Sequence, residues 1–215
     1  PARGKGEAMY KSLFVTTGDL LVFMDADLLD WDTHFVPGLL GPLLTRPEVG
    51  LVKGFYERPM LDGADAGAFE GGRVTELVAR PLLNLYFAHL AGVVQPLAGE
   101  WAVRRDVLAR LSVPTGYAVD VMALIDTAER LGVEAVAQVD LGRRAHRHQA
   151  LRDLGAMATQ ISHALMTRAG VPATEHDGVV ELRQYHRTEG RIAPVLREVP
   201  VTLRPPALEV GAVRA

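Results

Sequence analysis

The sequence predicts a layered α/β fold. Apolar residues at helical spacing alternate along the chain with short continuous apolar runs, the pattern of helices packed on strands that are buried on both faces. Hydrophobic residues make up 48% of the 215 positions, which is enough for a substantial core and excludes wholesale disorder.

Taken in order, Ala8, Met9, Leu13 and Phe14 mark a first helix, which Thr17-Gly18-Asp19 ends. Leu20-Leu21-Val22-Phe23-Met24 then reads as a strand buried on both faces, ending on Asp25-Ala26-Asp27. A helix is expected over 33–44 and a strand over 49–56. Residues 62–72, rich in Gly, Ala and Asp, read as a loop. A helix from Val74 towards Leu90 is expected to be kinked or divided by Pro81. Val121, Leu124, Ile125, Ala128 and Leu131 form one apolar stripe that Gly132 closes. A strand over 133–139 follows, then a long helix marked by Leu151, Leu154, Ile161 and Leu165. Beyond Val171 the pattern weakens into a tail, with a candidate edge strand at Val199-Pro200-Val201-Thr202-Leu203.

Composition narrows the function. The net charge is −3 with no block of like charge, which argues against nucleic acid as the main partner. There is no cysteine, so thiolate chemistry is excluded and a reducing cytoplasm is the expected setting. No apolar run is long enough to span a bilayer; the greasiest, 81–98, is broken by Asn84, His89, Gln95 and Pro96. The chain opens on Pro1-Ala2-Arg3 without an initiator Met and reads as starting within a domain.

Asp25 and Asp27 carry the clearest chemical signal. On an extended segment their spacing sends both carboxylates to one face, at the end of a strand where open α/β sheets bind ligands. A hard divalent cation would satisfy both and could neutralise a departing diphosphate; a solvated acidic turn explains the pair equally well. A phosphohydrolase with Asp25 as nucleophile is a further reading, disfavoured by Leu29 where that chemistry usually has Thr or Val. Lys5, flanked by Gly4 and Gly6, could approach a phosphate, although such a lysine is usually only solvated. Gly71, Gly72, Arg73, Val74 and Thr75 place glycines, a guanidinium and a hydroxyl at an expected helix start, which suits a phosphate or carboxylate; a plain loop with Thr75 capping the helix is the alternative. His146 and His148 lie in a basic patch that could supply an imidazole to a manganese-like ion or simply face solvent. Glu100, Tyr117 and Asp120 sit in Gly-containing turns and could bond sugar hydroxyls or cap helices.

Gly4-Lys5-Gly6-Glu7-Ala8-Met9, Asp25-Ala26-Asp27, Gly72-Arg73-Val74-Thr75-Glu76-Leu77, Gln95-Pro96-Leu97, Gly116-Tyr117 and Ala145-His146-Arg147, in this order and spacing, resemble the glucosyl-3-phosphoglycerate synthases and their mannosyl relatives. The resemblance covers 4–169 well and the tail loosely. It implies a Rossmann-like GT-A glycosyltransferase domain whose N-terminal βα units are missing, with a catalytic core over 1–150 and a C-terminal helix and tail over 151–215 as a dimer contact. It further implies transfer of glucose or mannose from UDP-glucose or a GDP-hexose to 3-phosphoglycerate, with retention and with Mg²⁺ or Mn²⁺. By position, Lys5 and Asp25 would serve the donor, Asp27 and His146 the metal, and Glu100, Tyr117 and Asp120 the transferred sugar. Gly72, Arg73, Val74, Thr75 and His148 would serve the acceptor. Asp120 stands where the glucosyl enzymes usually have Glu, and His148-Gln149 where they have Asn-Arg, which leaves the donor sugar open. A non-catalytic fragment lacking the nucleotide-base half is the remaining alternative.

Overall fold

The computed structural model describes residues 3–28, 32–57, 72–143, 150–188 and 190–211. The first half follows the expected alternation: α1 (Lys5–Val15), β1 (Leu20–Phe23), α2 (Phe35–Thr45) and β2 (Leu51–Glu57). A π-helical turn over Thr75–Ala79 runs directly into α3 (Arg80–Tyr86), and a 3₁₀ turn over Ala88–Leu90 follows. Pro81 thus widens the helix rather than dividing it. Its ring has no N–H to donate and crowds the carbonyl four residues back, and a π turn just before it relieves both.

Next come β3 (Trp101–Arg104), α4 (Arg105–Leu108), β4 (Val113–Pro114), α5 (Val119–Leu131) and β5 (Val136–Arg143). The expected strand at 133–139 is displaced, because Val133–Ala135 form a 3₁₀ turn after Gly132, whose φ is +91°. The chain ends in α6 (Leu151–Arg168), β6 (Val179–Thr188), β7 (Arg191–Pro200), β8 (Leu203–Arg204) and α7 (Ala207–Val210). Where one edge strand at 199–203 was expected, a hairpin of two ten-residue strands ends at Pro200, and a separate short strand returns to the body of the protein.

Four strands form the central sheet in the order β1-β3-β2-β5. β2 and β5 are parallel, while β3 runs antiparallel between β1 and β2. That reversal brings the start of β3 to the same edge as the ends of β1 and β2: Trp101 lies opposite both Phe23 and Lys53. β1 is an edge strand among the described residues, and only Leu21 of it is buried. Both faces of β1 are nonetheless covered in part, as expected: Leu21 and Phe23 pack on one apolar cluster, and Leu20, Val22 and Met24 on the other.

Two apolar clusters cover the sheet. α2 packs Phe35, Leu39 and Leu43 against Val52, Tyr56, Ala102 and Ala137 on one face. On the other, Leu51, Trp101 and Val103 meet α1, α5 and α6 through Leu13, Leu124, Ile161 and Leu165. Among the described residues no helix is long and apolar enough to cross a membrane.

Candidate active site

Five segments meet at the sheet edge where β1 and β2 end. α1 contributes Lys5, and its approach is set by glycines. A Cβ on Gly4 would stand 2.2 Å from the Thr115 carbonyl oxygen, and one on Gly6 only 1.8 Å from that of Pro114. The amides of Gly6 and Glu7 donate to the carbonyls of Gly116 and Thr115 at 3.3 and 3.0 Å. The expectation that these glycines admit a phosphate is corrected: they let α1 lie against the 114–116 backbone, so the Lys5 side chain, rather than those amides, reaches into the site.

The Lys5 ammonium donates to Asp25 Oδ1 and Asp120 Oδ2, both at 2.8 Å. Burial works against its charge, but the Asp120 and Asp25 carboxylates outweigh that and hold its pKa above the ordinary lysine value. Asp120, in the first turn of α5, also accepts from Trp101 Nε1 at 2.9 Å. Both carboxylate oxygens thus have donors, and the side chain is 4% exposed.

Asp25 is gripped from two sides. Its amide donates to Glu100 Oε1 at 3.4 Å, and Tyr56 Oη donates to Glu100 Oε2 at 2.7 Å. Glu100 itself has no exposed surface, so it touches Asp25 and Tyr56 rather than solvent. Gly99 lies beneath: a Cβ there would fall 2.3–2.4 Å from the Asp25 carboxyl atoms. Only a glycine leaves room for Asp25 to reach Lys5.

Asp27 is separate. β1 ends at Phe23 and residues 26–27 turn, so the alternation that would align the two aspartates does not apply. Asp25 faces Lys5, whereas Asp27 is exposed with no partner among the described residues. The single shared face expected for the pair is corrected accordingly. An exposed carboxylate without a partner suits a hard divalent ion that takes its remaining ligands from diphosphate and water. Among the described residues no cluster of three His, Asp or Glu could hold a metal alone; His146, His148 and Gly71 lie outside the described residues.

Gly72, with φ +94°, opens the helix, accepting from the Glu76 amide at 3.0 Å. Arg73 is exposed there, and Val74 and Thr75 are buried. Tyr117 is 42% exposed, its amide donating to Gln160 Oε1 at 3.0 Å. It borders a cavity of about 360 Å³ between α6 and β7.

A curated protein of Mycolicibacterium smegmatis, glucosyl-3-phosphoglycerate synthase, is 46% identical over 206 residues, covering 96% of this chain and 67% of its own. The chain belongs to the glucosyl-3-phosphoglycerate synthase family. The Mycobacterium tuberculosis member is 49% identical over 185 residues, so the chain spans little more than half, 56%, of that relative. No family model matches. Crystal structures of the M. tuberculosis synthase superpose with TM-scores of 0.84 and 0.85 at 44% and 43% identity, covering 98% of this chain and 68% of theirs. One holds Mn²⁺ and UDP-glucose; the other holds Mn²⁺, UDP and glucosyl-3-phosphoglycerate. The fold is that of a GT-A glycosyltransferase.

Within this family frame the structure joins Lys5, Asp25, Glu100 and Asp120 into one network. Sequence reasoning missed four members of it: Lys53, Tyr56, Gly99 and Trp101. Lys53 offered a signal, a lone cation inside an apolar strand run; Gly99 and Tyr56 offered none, since their value lies in contacts made across the sheet.

Proposed function

We propose that this protein transfers glucose from UDP-glucose to 3-phosphoglycerate with retention of configuration, using Mg²⁺ or Mn²⁺. The observation that supports this most is the Lys5 ammonium, fixed by two carboxylates at 2.8 Å, with Asp27 exposed and without a partner among the described residues. Lys5 is placed to engage the donor diphosphate, with Asp25 and Asp120 setting its direction. Asp27, with His146, would hold a divalent ion that supplies positive charge against the departing diphosphate. Tyr117 is exposed and available to the sugar, while Glu100 acts from beneath by holding Asp25. The helix start at Gly72, Arg73, Val74 and Thr75, together with His148, would take the acceptor's phosphate and carboxylate through backbone amides and a guanidinium. The acceptor hydroxyl attacks the anomeric carbon on the face the diphosphate leaves, the C1–O bond to diphosphate breaks, and the proton passes to a diphosphate oxygen.

Two wider expectations find support. The outward face of the β6–β7 hairpin carries Tyr185, Ile192 and Leu196, all more than half exposed, which suits a second copy of the chain. A cysteine-free chain suits a cytoplasmic setting.

The test is incubation with 3-phosphoglycerate and a panel of sugar nucleotides with Mn²⁺, reading product by mass. Product from UDP-glucose is expected, and Lys5→Ala and Asp27→Ala should each lower turnover by about 100-fold or more. Full transfer by both variants would overturn the assignment.

A further inference from the structure

Lys53 occupies the middle of the sheet, on β2 between β3 and β5, with 1% of its surface exposed. A strand position flanked by Leu51, Val52 and Phe55 ordinarily takes an apolar side chain, and burying an ammonium there is costly unless it is fully engaged. It is well engaged. Its Nζ donates to the Ala98 carbonyl at 2.7 Å and the Asp120 carbonyl at 3.3 Å, and stands 5.7 Å from the centre of the Trp101 ring.

Those two carbonyls belong to different segments, each bearing a carboxylate of the site. Ala98 leads into Gly99, on which Asp25 rests, and into Glu100, which holds the Asp25 amide. Asp120 binds Lys5 through its side chain while its backbone binds Lys53. One buried cation therefore connects the support of Asp25 to the support of Asp120. We propose that Lys53 is a positioning residue for glycosyl transfer, tying the 98–100 turn to the first turn of α5 so that Lys5, Asp25 and Asp120 meet the donor in a fixed arrangement. This rests on the transferase reading above.

The groups facing Lys53 are Lys5 from α1, Asp25 from the turn after β1, Glu100 ahead of β3, and Asp120 from α5. Burial pushes its pKa from 10.5 down to about 8; Lys5 adds to the fall, while Asp120, Glu100 and Asp25 oppose it. Two effects of opposite sign follow. Raising the pH through about 8 discharges the tie in the folded protein, so turnover falls. The unfolded chain keeps that proton up to 10.5, so between 8 and 10.5 it binds more protons than the folded state, and the contribution of Lys53 to stability rises. A lysine serving only the fold would not separate turnover from stability in this way.

The experiment compares the full chain with Lys53→Met, both carrying Trp31→Phe so that Trp101 is the sole tryptophan. At pH 7 the Lys53→Met chain should lose about 30- to 100-fold in kcat, with KM for UDP-glucose within about threefold, because a small misplacement of reacting groups is that costly. Its kcat should also lack the decline above pH 8 seen with Lys53 present. Trp101 fluorescence should titrate near pH 8 with Lys53 and stay flat with Met. Unchanged kcat and an unchanged pH profile in the variant overturn the proposal. If the chain with Lys53 turns nothing over, the transferase reading has failed; the fluorescence titration, present with Lys53 and absent with Met, then shows that the tie itself exists. If Lys53→Met does not fold, the natural sequence decides: turnover falling above pH 8 while resistance to urea rises supports the proposal, and both falling together overturns it.

Discussion

At the mouth of the sheet Lys5 and Asp120 meet at 2.8 Å with 18% and 4% of their side chains exposed. Between the hairpin and α6, Arg197 and Asp153 meet at the same 2.8 Å with 43% and 59% exposed. Distance does not tell the two pairs apart; their surroundings do. The hairpin pair can exchange protein for water at little cost, so it contributes a fraction of a kcal/mol. The buried pair has no such exchange. Removing one partner leaves the other desolvated, and the remaining contacts of the network shift with it.

The contrast can be broken at four places. Asp120→Asn is expected to have the largest effect, about 100-fold or more in turnover, because it removes the charge that Lys5, Lys53 and Trp101 surround; steady-state kinetics at saturating donor would show it. Gly99→Ala comes next. Its added methyl must displace the Asp25 carboxyl, which can swing away, so turnover should fall by about 10-fold or more while the melting temperature changes by only a few degrees. Stability should respond most to Glu7→Gln. Arg204 donates to both oxygens of Glu7 at 2.7 and 2.8 Å and holds its pKa down from 4.5 to about 2. A lowered carboxylate pKa stabilises the fold above pH 4.5, and the contribution disappears as pH falls to about 2. Discounted for the partly exposed Arg204, the loss at neutral pH is about 2 kcal/mol, or roughly 5 °C in melting temperature. Glu7→Gln should also flatten the acid limb of the stability curve between those pH values. Asp153→Ala is expected to do least, within about 0.5 kcal/mol by urea unfolding. A larger effect there would mean that the hairpin pair is not the loose surface contact its exposure indicates.

Much of this was legible in the residues. Periodicity located α1, α2, α5 and α6, because each buries a stripe at helical spacing. It did not find β3, four residues long and the strand that joins β1 to β2. So short a run has no period, and its burial comes wholly from neighbours distant in sequence. Lys5, Asp25, Glu100 and Asp120 were each singled out, and the fold brings them into one network. What their types and spacing could not convey was direction. Asp25 and Asp27 look equivalent on paper, yet a turn after Phe23 sends one to Lys5 and the other to solvent. Lys53 is the complementary case: the sheet sets it between the 98–100 turn and the first turn of α5, which its own sequence surroundings do not reveal.

The clasp of Glu7 by Arg204 joins residues 197 positions apart. Beside it β8 pairs with β4, and the amide of Thr115 donates to Thr202 at 3.0 Å, so the backbone against which α1 lies is itself held from the tail. The seat of the helix that presents Lys5 is therefore completed only when residue 204 is in place. Such distant closures come late and slowly in folding. A chain ending before residue 204 would keep strands β1, β3, β2 and β5 but lack the clasp on Glu7.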